Sequence, residues 1–187
     1  LGRRVEQGTE FNYLATDTHV LSTALSGVYG KPLSEVMYEK LWEPAGFTAD
    51  AIWSTDAEGS EGVELGHCCL APTLTDFAHL GQLYLEDLVI EGEQVVSDDW
   101  FQRVANTHGP FQEPTISEDG EEASMGYSYQ FWLPPHYDNE FVARGALGQF
   151  LWIDRRRDFV VAHFSTAAVH NDMQFTRMMR AIGDRLQ

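Results

Sequence analysis

The 187-residue chain is poor in several residue types that particular functions need. Lysine is almost missing, with Lys31 and Lys40 the only two, and Lys plus Arg number 12 against 29 Asp plus Glu, a formal net charge of −17. A surface of that sign repels polyphosphates and anionic lipids, so no nucleic acid and no membrane surface is expected as a partner. No apolar run approaches the roughly 20 residues of a membrane span. Leu1-Gly2-Arg3-Arg4 is followed by no apolar stretch, so no signal peptide is expected, and there is no initiator Met, as in a chain cut from something longer. Cysteine is confined to Cys68 and Cys69. Sequence neighbours rarely bridge, so a disulfide framework is excluded and a packed turn with small buried thiols is expected. His67-Cys68-Cys69 is a weak metal motif, because three consecutive side chains do not readily converge on one ion, and no metal is expected. Complete catalytic signatures are also lacking. Gly59-Ser60-Glu61-Gly62 is not a G-x-S-x-G elbow, and Val28 and Met37 stand where S-x-x-K would need serine. There is no H-E-x-x-H and no phosphate-cradling P-loop.

What is present suffices for an ordinary core. With 43% hydrophobic residues the chain is no disordered acidic tail, and a domain of this length buries roughly 70% of its unfolded surface. The first half has helical periodicity. Val20, Leu21, Ala24, Leu25 and Val28 form one stripe, ended by Gly30. Pro32 opens a second helix with Val36, Met37, Lys40 and Leu41 on one face, stopped by Pro44-Ala45-Gly46. Residues 48–66 read as an exposed loop. A third helix starts near Thr75, with Phe77, Leu80, Gly81 and Tyr84 inward. Ser97 is the expected cap of a fourth, whose stripe is Trp100, Phe101 and Val104.

The period then changes. Residues 106–124, with Gly, Pro and five acidic side chains, read as a linker or lid. From Gly126 the pattern alternates, placing Tyr127, Tyr129, Phe131 and Leu133 on one face and Ser128, Gln130 and Trp132 on the other. A second strand is expected over 141–153 and a third over 158–165, joined by a hairpin at Asp154 to Asp158. A last helix, capped by Asn171 or Asp172, carries Phe175, Met178, Met179, Ile182 and Leu186 as its core stripe. Helices, then three antiparallel strands, then one helix make an α+β architecture with edge strands in need of cover.

Two segments carry more than local structure. The first runs Gly8-Thr9-Glu10-Phe11-Asn12-Tyr13-Leu14-Ala15-Thr16-Asp17-Thr18-His19-Val20-Leu21, the second Ala143-Arg144-Gly145-Ala146-Leu147-Gly148-Gln149. Together with Gly30, Leu41-Trp42-Glu43-Pro44, Gly46, Thr75-Asp76-Phe77-Ala78, Leu80-Gly81, Gly126-Tyr127 and Phe131-Trp132, in that order, they resemble the serine hydrolases of the class C β-lactamase and penicillin-binding-protein superfamily. The nearest branch is similar to the 6-aminohexanoate-dimer (nylon-oligomer) hydrolases and related esterases.

The resemblance implies a β-lactamase/transpeptidase-like fold, incomplete here. Residues 1–124 would be part of the helical domain and 125–187 part of the sheet domain. It implies Tyr13 as the proton-transferring tyrosine, Gly145 and Ala146 on the strand that closes the site, and the Ala146 N–H as one oxyanion donor. Trp132 would be a pocket wall, and Arg144 would meet a substrate carboxylate, with Asn171 near the rim. No metal or organic cofactor is implied. Ala143 stands where the family strand motif has lysine, and Ala15 where the tyrosine motif has asparagine, which argues against penicillin or cephalosporin turnover and leaves a small ester or linear amide. The family's S-x-x-K segment lies many tens of residues before its tyrosine, whereas 12 residues precede Tyr13 here. The chain is therefore expected to be a C-terminal half without nucleophile, inactive by itself. The other reading is a non-catalytic or partner-completed module, whose exposed strand edge docks a second chain carrying the serine. Plain structural roles stay open for each residue: Tyr13 as a half-buried core side chain, Trp132 as sheet packing, Arg144 as an ion-pair partner, Gly145 and Gly148 as bulges, and His67, His163 and His170 as structural.

Overall fold

The computed structural model describes residues 5–59, 61–117, 122–167 and 171–187. In chain order its elements are α1 (Ala15–Tyr29), α2 (Leu33–Met37) running into a π turn (Tyr38–Trp42), β1 (Ile52–Trp53), β2 (Leu70–Ala71) and α3 (Leu74–Leu85). Next come β3 (Val89–Ile90), β4 (Glu93–Gln94), α4 (Trp100–Val104), a 3-10 turn (Pro110–Gln112), β5 (Thr115–Ile116) and β6 (Glu122–Ser124). The chain ends with β7 (Gly126–Ser128), β8 (Phe131–Leu133), β9 (Glu140–Gly145), a 3-10 turn (Ala146–Gly148), β10 (Gln149–Asp154), β11 (Phe159–His163) and α5 (Asp172–Leu186). These elements form two compact units, one holding the residues up to Phe11, Phe77–Val89 and Glu93–Gln187, the other Asn12–Asp76 with Ile90–Gly92.

The larger unit is built on an antiparallel sheet in the order β11-β10-β9-β8-β7. Five strands stand where the alternation predicts three, because two of the expected strands are hairpins. Tyr129 and Gln130, with φ of 42° and 71°, turn the chain between β7 and β8. Two left-handed residues in succession reverse the strand and reset its phase. Tyr127 pairs with Trp132 and Ser128 with Phe131, so the buried face is Gly126, Ser128, Phe131 and Leu133, with Tyr127 and Trp132 opposite. Likewise Leu147 (φ 60°) and Gly148 (φ 83°) fold 141–153 into β9 and β10.

Both faces of this sheet are covered. On one, Phe150 stacks on Phe175 of α5 at 4.0 Å, within a core of Met125, Val142, Trp152, Phe159 and Met179. On the other, α3 lies so close that a Cβ on Gly81 would stand 2.4 Å from Val160 Cγ1. Tyr84 of α3 packs edge-on against Phe131 and Phe141, and burial pushes its phenol up to about 12. The inner face of α5 is Phe175, Thr176, Met179 and Gly183. Met178, Ile182 and Leu186, expected in the core, are 50%, 39% and 67% exposed. The helix is rotated toward the side where Gly183 admits the Phe159 ring.

A buried ion network closes the far end of the sheet. Glu140 and Asp154 are 1% and 0% exposed. Arg180 Nε donates to Glu140 Oε1 at 2.8 Å, and Arg157 Nη1 lies 2.9 Å from Asp154 Oδ2 and 3.5 Å from Glu140 Oε2. Helix α4 starts two residues later than its sequence cap suggests. Asp99 is the cap position, and Ser97 Oγ donates to Asp99 Oδ1 at 2.6 Å instead of capping.

In the smaller unit α1 ends as expected at Gly30, whose left-handed backbone donates back to Ser26 O. Residues 48–66 are more ordered than their composition suggests. Strand β1 pairs with β2, and Thr55 bridges Glu64. Glu64 is 8% exposed because its carboxylate accepts the Leu33 and Ser34 N–H groups and the Ser34 hydroxyl, capping α2 from a distant segment. At α3, Thr73 Oγ1 accepts from Asp76 N at 3.1 Å, capping the helix, and donates to Asp76 Oδ2 at 2.7 Å. Asp76 Oδ1 also accepts the Thr48 N–H and hydroxyl, tying the loop to the helix.

Candidate functional site

In the larger unit four of the residues singled out by sequence lie around the β9–β10 turn. Gly145 ends β9, Ala146 begins the 3-10 turn, and both are exposed. Arg144, one step earlier on β9, lies over the Trp132 ring at 5.3 Å to the centroid, a cation-π contact. Trp132 is also flanked by Tyr127 at 4.9 Å and Phe11 at 6.4 Å. The turn is held from behind. Gln149 Oε1 accepts from Ser165 N at 3.1 Å, and His163 Nδ1 lies 2.9 Å from Gly148 O. An exposed backbone turn, fixed at its base and edged by an indole, can present N–H groups to an oxyanion.

The charge beside it is already balanced. Arg144 Nη2 lies 2.8 Å from Asp172 Oδ2, both side chains partly buried. Sequence reasoning named Arg144 for the site, and Asp172 only as an alternative cap of the last helix. Asn171 settles the question of the α5 cap: its Oδ1 accepts from Gln174 N at 2.9 Å. Expected near a pocket rim, its side-chain oxygen is engaged by the helix. His170 lies outside the described residues.

Tyr13 belongs to the smaller unit, directly before the extended cap residue Leu14 of α1. It is 53% exposed, so it is not a core tyrosine. Two turns of α1 further on, His19 meets His67, with ring centroids 5.6 Å apart at 83°. Cys68 and Cys69, expected as buried thiols, are exposed and joined to each other as a disulfide. In an extended backbone their side chains would point to opposite faces. The left-handed conformation of Cys69 (φ 72°) breaks that alternation and lets the sulfurs meet.

The same unit holds a cavity of about 380 Å³ lined by Tyr38, Trp42, Asp50, Trp53, Glu64 and Leu70. Sequence gave no sign of it, because its walls come from three separate segments. Two buried carboxylates hold this unit together. The Thr48 N–H and the Thr73 hydroxyl keep Asp76 below its ordinary pKa. Burial pushes Glu64 up, but the Ser34 hydroxyl and backbone N–H donors outweigh it and leave Glu64 lowered. Both folded values lie below the unfolded ones of about 3.9 for Asp and 4.3 for Glu, so their stabilisation is present above that range and lost as pH falls through the folded values. An acid titration followed by tryptophan fluorescence is expected to show this unit loosening below about pH 4. The double variant Glu64→Gln, Asp76→Asn should be less stable at pH 7 and nearly flat between pH 5 and 3, and an unchanged titration would oppose the assignment.

The model of the family described as Beta-lactamase matches residues 1–182. A 6-aminohexanoate-dimer hydrolase of Paenarthrobacter ureafaciens is 30% identical over 166 residues, covering 87% of this chain and 41% of that protein. A solved structure from Bacillus anthracis, assigned as a 6-aminohexanoate-dimer hydrolase, superposes with a TM-score of 0.82 at 26% identity, covering 99% of this chain and 46% of that one. A β-lactamase structure from Mycobacterium bovis superposes with a TM-score of 0.66 at 18% identity, over 97% of this chain and 65% of that one, a likeness of fold alone. The chain thus spans less than half the length of the two hydrolase relatives.

Proposed function

This chain belongs to the Beta-lactamase family, and on that premise we propose that it is the C-terminal part of a serine hydrolase that cleaves a small ester or linear amide by acyl transfer. One observation carries the reading. The chain spans 41% and 46% of hydrolase relatives, and α1, a 15-residue helix with an apolar stripe, buries none of its residues. Val20, Leu21 and Val28 are 66%, 60% and 81% exposed, a surface that a folded protein of this kind covers.

In the proposed reaction a serine outside this chain attacks the carbonyl, activated by a lysine that is also outside it. Tyr13 takes up the serine proton and returns it to the leaving group. The Ala146 N–H donates to the oxyanion, with Gly145 allowing close approach of the substrate, and one such donor is typically worth about 10²–10³ in rate. Trp132 walls the acyl group. Arg144 orients a substrate carboxylate by exchanging its Asp172 partner for it, and Asn171 stands at the rim. Water then releases the acid. The scheme uses no metal and no organic cofactor.

A second reading, a partner-completed module, draws on β11, one of the two end strands of the sheet, whose outer edge pairs with no other strand among the described residues and can accept one. Size separates the two: a monodisperse monomer of 21.1 kDa opposes partner completion. The hydrolase reading is tested with a serine-reactive fluorophosphonate. The chain alone is expected to give no covalent adduct, and a longer protein with an S-x-x-K segment ahead of it one adduct per chain. Stoichiometric labelling of the 187-residue chain, or none of the longer protein, would overturn the reading.

A further inference from the structure

The proposed reaction uses no side chain of the 380 Å³ cavity in the smaller unit. A cavity of that volume suits a small organic molecule. Its walls include three aromatic side chains, Tyr38, Trp42 and Trp53, two carboxylates, Asp50 and Glu64, and the hydroxyls of Ser34 and Thr55. No lysine or arginine lines it. The smaller unit has no arginine, and its two lysines are engaged elsewhere, Lys31 with Glu39 and Lys40 over the Tyr29 ring.

The polar protons of these walls are already committed. Trp42 Nε1 donates to Ala49 O at 2.9 Å, and Trp53 Nε1 donates to Cys68 O at 2.9 Å and Leu65 O at 3.2 Å. The Tyr38 hydroxyl donates to Glu43 Oε1 at 3.1 Å, the Thr55 hydroxyl to Ala57 O at 2.7 Å, and the Ser34 hydroxyl to Glu64 Oε1. These side chains therefore offer a ligand only hydroxyl lone pairs, ring surface and carboxylate oxygens. Asp50 is exposed and has no ion-pair partner among the described residues. Glu64 already accepts from Ser34 and Leu33, so it adds negative charge more than a vacant contact.

We propose that this cavity binds a primary organic ammonium ion, its N–H groups on Asp50 and its apolar arm against the aromatic walls. Such a ligand supplies what the cavity lacks, hydrogen-bond donors and positive charge, and it gains from the faces of tyrosine and tryptophan. An alkylamine with a pKa near that of lysine, about 10.4, carries this charge at neutral pH. A neutral alcohol would leave the Asp50 charge unpaired, and two carboxylates repel an anion. A metal ion finds no ligand set, since no group of three or more metal-ligating side chains exists among the described residues. A quaternary ammonium keeps the charge but has no N–H for the acceptors.

The test is calorimetric titration of the 187-residue chain near neutral pH in about 0.15 M salt, which screens diffuse attraction to the acidic surface beyond about 8 Å. Four probes share one ring: cyclohexylmethylammonium, cyclohexyltrimethylammonium, cyclohexylmethanol and cyclohexanecarboxylate. The primary ammonium is expected to saturate one site per chain with a Kd on the order of 0.1–1 mM. The alcohol should bind about 10-fold more weakly or worse, the quaternary ion in between, and the carboxylate not at all. Asp50→Asn should weaken the primary ammonium by about 10-fold or more and leave the alcohol unchanged. Tyr38→Leu, which keeps apolar bulk but loses the ring, should weaken both ammonium ions by about 2–5-fold. Equal affinity for ammonium and alcohol would make the cavity a plain apolar one and overturn the proposal. So would the lack of a saturable ammonium site, or an Asp50→Asn chain that binds the ammonium as the parent does. A quaternary ion that binds more tightly than the primary one would overturn the assignment of the N–H groups to Asp50. The four probes are compared on the unaltered chain, so the central result stands even if a variant fails to fold.

Discussion

Tyr13→Phe, placed in a protein that carries an S-x-x-K segment ahead of this chain, is expected to lower ester turnover by about 10²–10⁴ while leaving KM within a few-fold. The phenol of an ordinary tyrosine has a pKa of about 10, so it serves as a base at neutral pH only beside a cation. The lysines of this chain are otherwise placed: Lys31 Nζ is 2.5 Å from Glu39, and Lys40 lies over the Tyr29 ring. In the proposed scheme a lysine outside this chain supplies that charge. Tyr13 is half exposed, so the loss of one hydroxyl should leave the fold intact, and circular dichroism checks this. The sign of the effect lies in kcat. Equal kcat for the two proteins would remove Tyr13 from the mechanism, whereas a change in KM alone would make it a substrate contact. The 187-residue chain itself should turn over no ester, since losing the nucleophile of such a site costs on the order of 10⁶.

Arg180→Met should destabilise the larger unit by about 3–5 kcal/mol, read as a shift of the urea midpoint at pH 7. The guanidinium holds Glu140 through Nε and Nη2 and also donates to Pro135 O at 2.6 Å. Burial pushes the Glu140 carboxyl above its ordinary pKa, Arg180 and Arg157 pull it down, and Asp154 adds repulsion. Without Arg180 a charge with almost no solvent access keeps one partner, Arg157, at 3.5 Å. The pH dependence identifies the cause. A raised folded pKa means that the native state holds the proton longer, so stability falls as pH rises from the unfolded value through the folded one. The deficit of Arg180→Met should therefore shrink as pH is lowered toward 5. Glu140→Leu combined with Arg180→Met should recover much of the loss, because it removes the stranded charge. A deficit independent of pH and unrelieved by the second change would point to lost packing of the arginine stem instead.

Helix periods and stops were plain in the sequence. Val20 to Val28 with Gly30 gave α1 by apolar spacing alone, since the helix buries none of these residues, and Phe77 to Tyr84 gave the inner face of α3, where the three-to-four-residue spacing does mark the packed side. The strands were legible as alternation but not as count. Tyr129-Gln130, a left-handed pair of ordinary residues, leaves no compositional mark, and at Leu147-Gly148 the single glycine reads as a bulge as readily as a turn. The phase of α5 was missed for a related reason. Met178 and Ile182 are as apolar as Met179, and only the Gly183 contact with Phe159 decides which side faces the sheet.

Of the candidate site, sequence supplied the residue types and, through resemblance, their roles. It did not supply their partners. Asp172 reads as a helix-start acid until the fold brings it to Arg144, and His19 reads as one of many polar helix residues until α1 sets it against His67. The amino-acid sequence by itself determined the family, the α+β order of elements and the strong negative charge, because these depend on local pattern and composition. The tertiary structure alone decided which carboxylates are buried, which cation each one neutralises and which apolar stripes stay bare. Those depend on distances between segments far apart in the chain, and pattern along a chain carries no record of such distances.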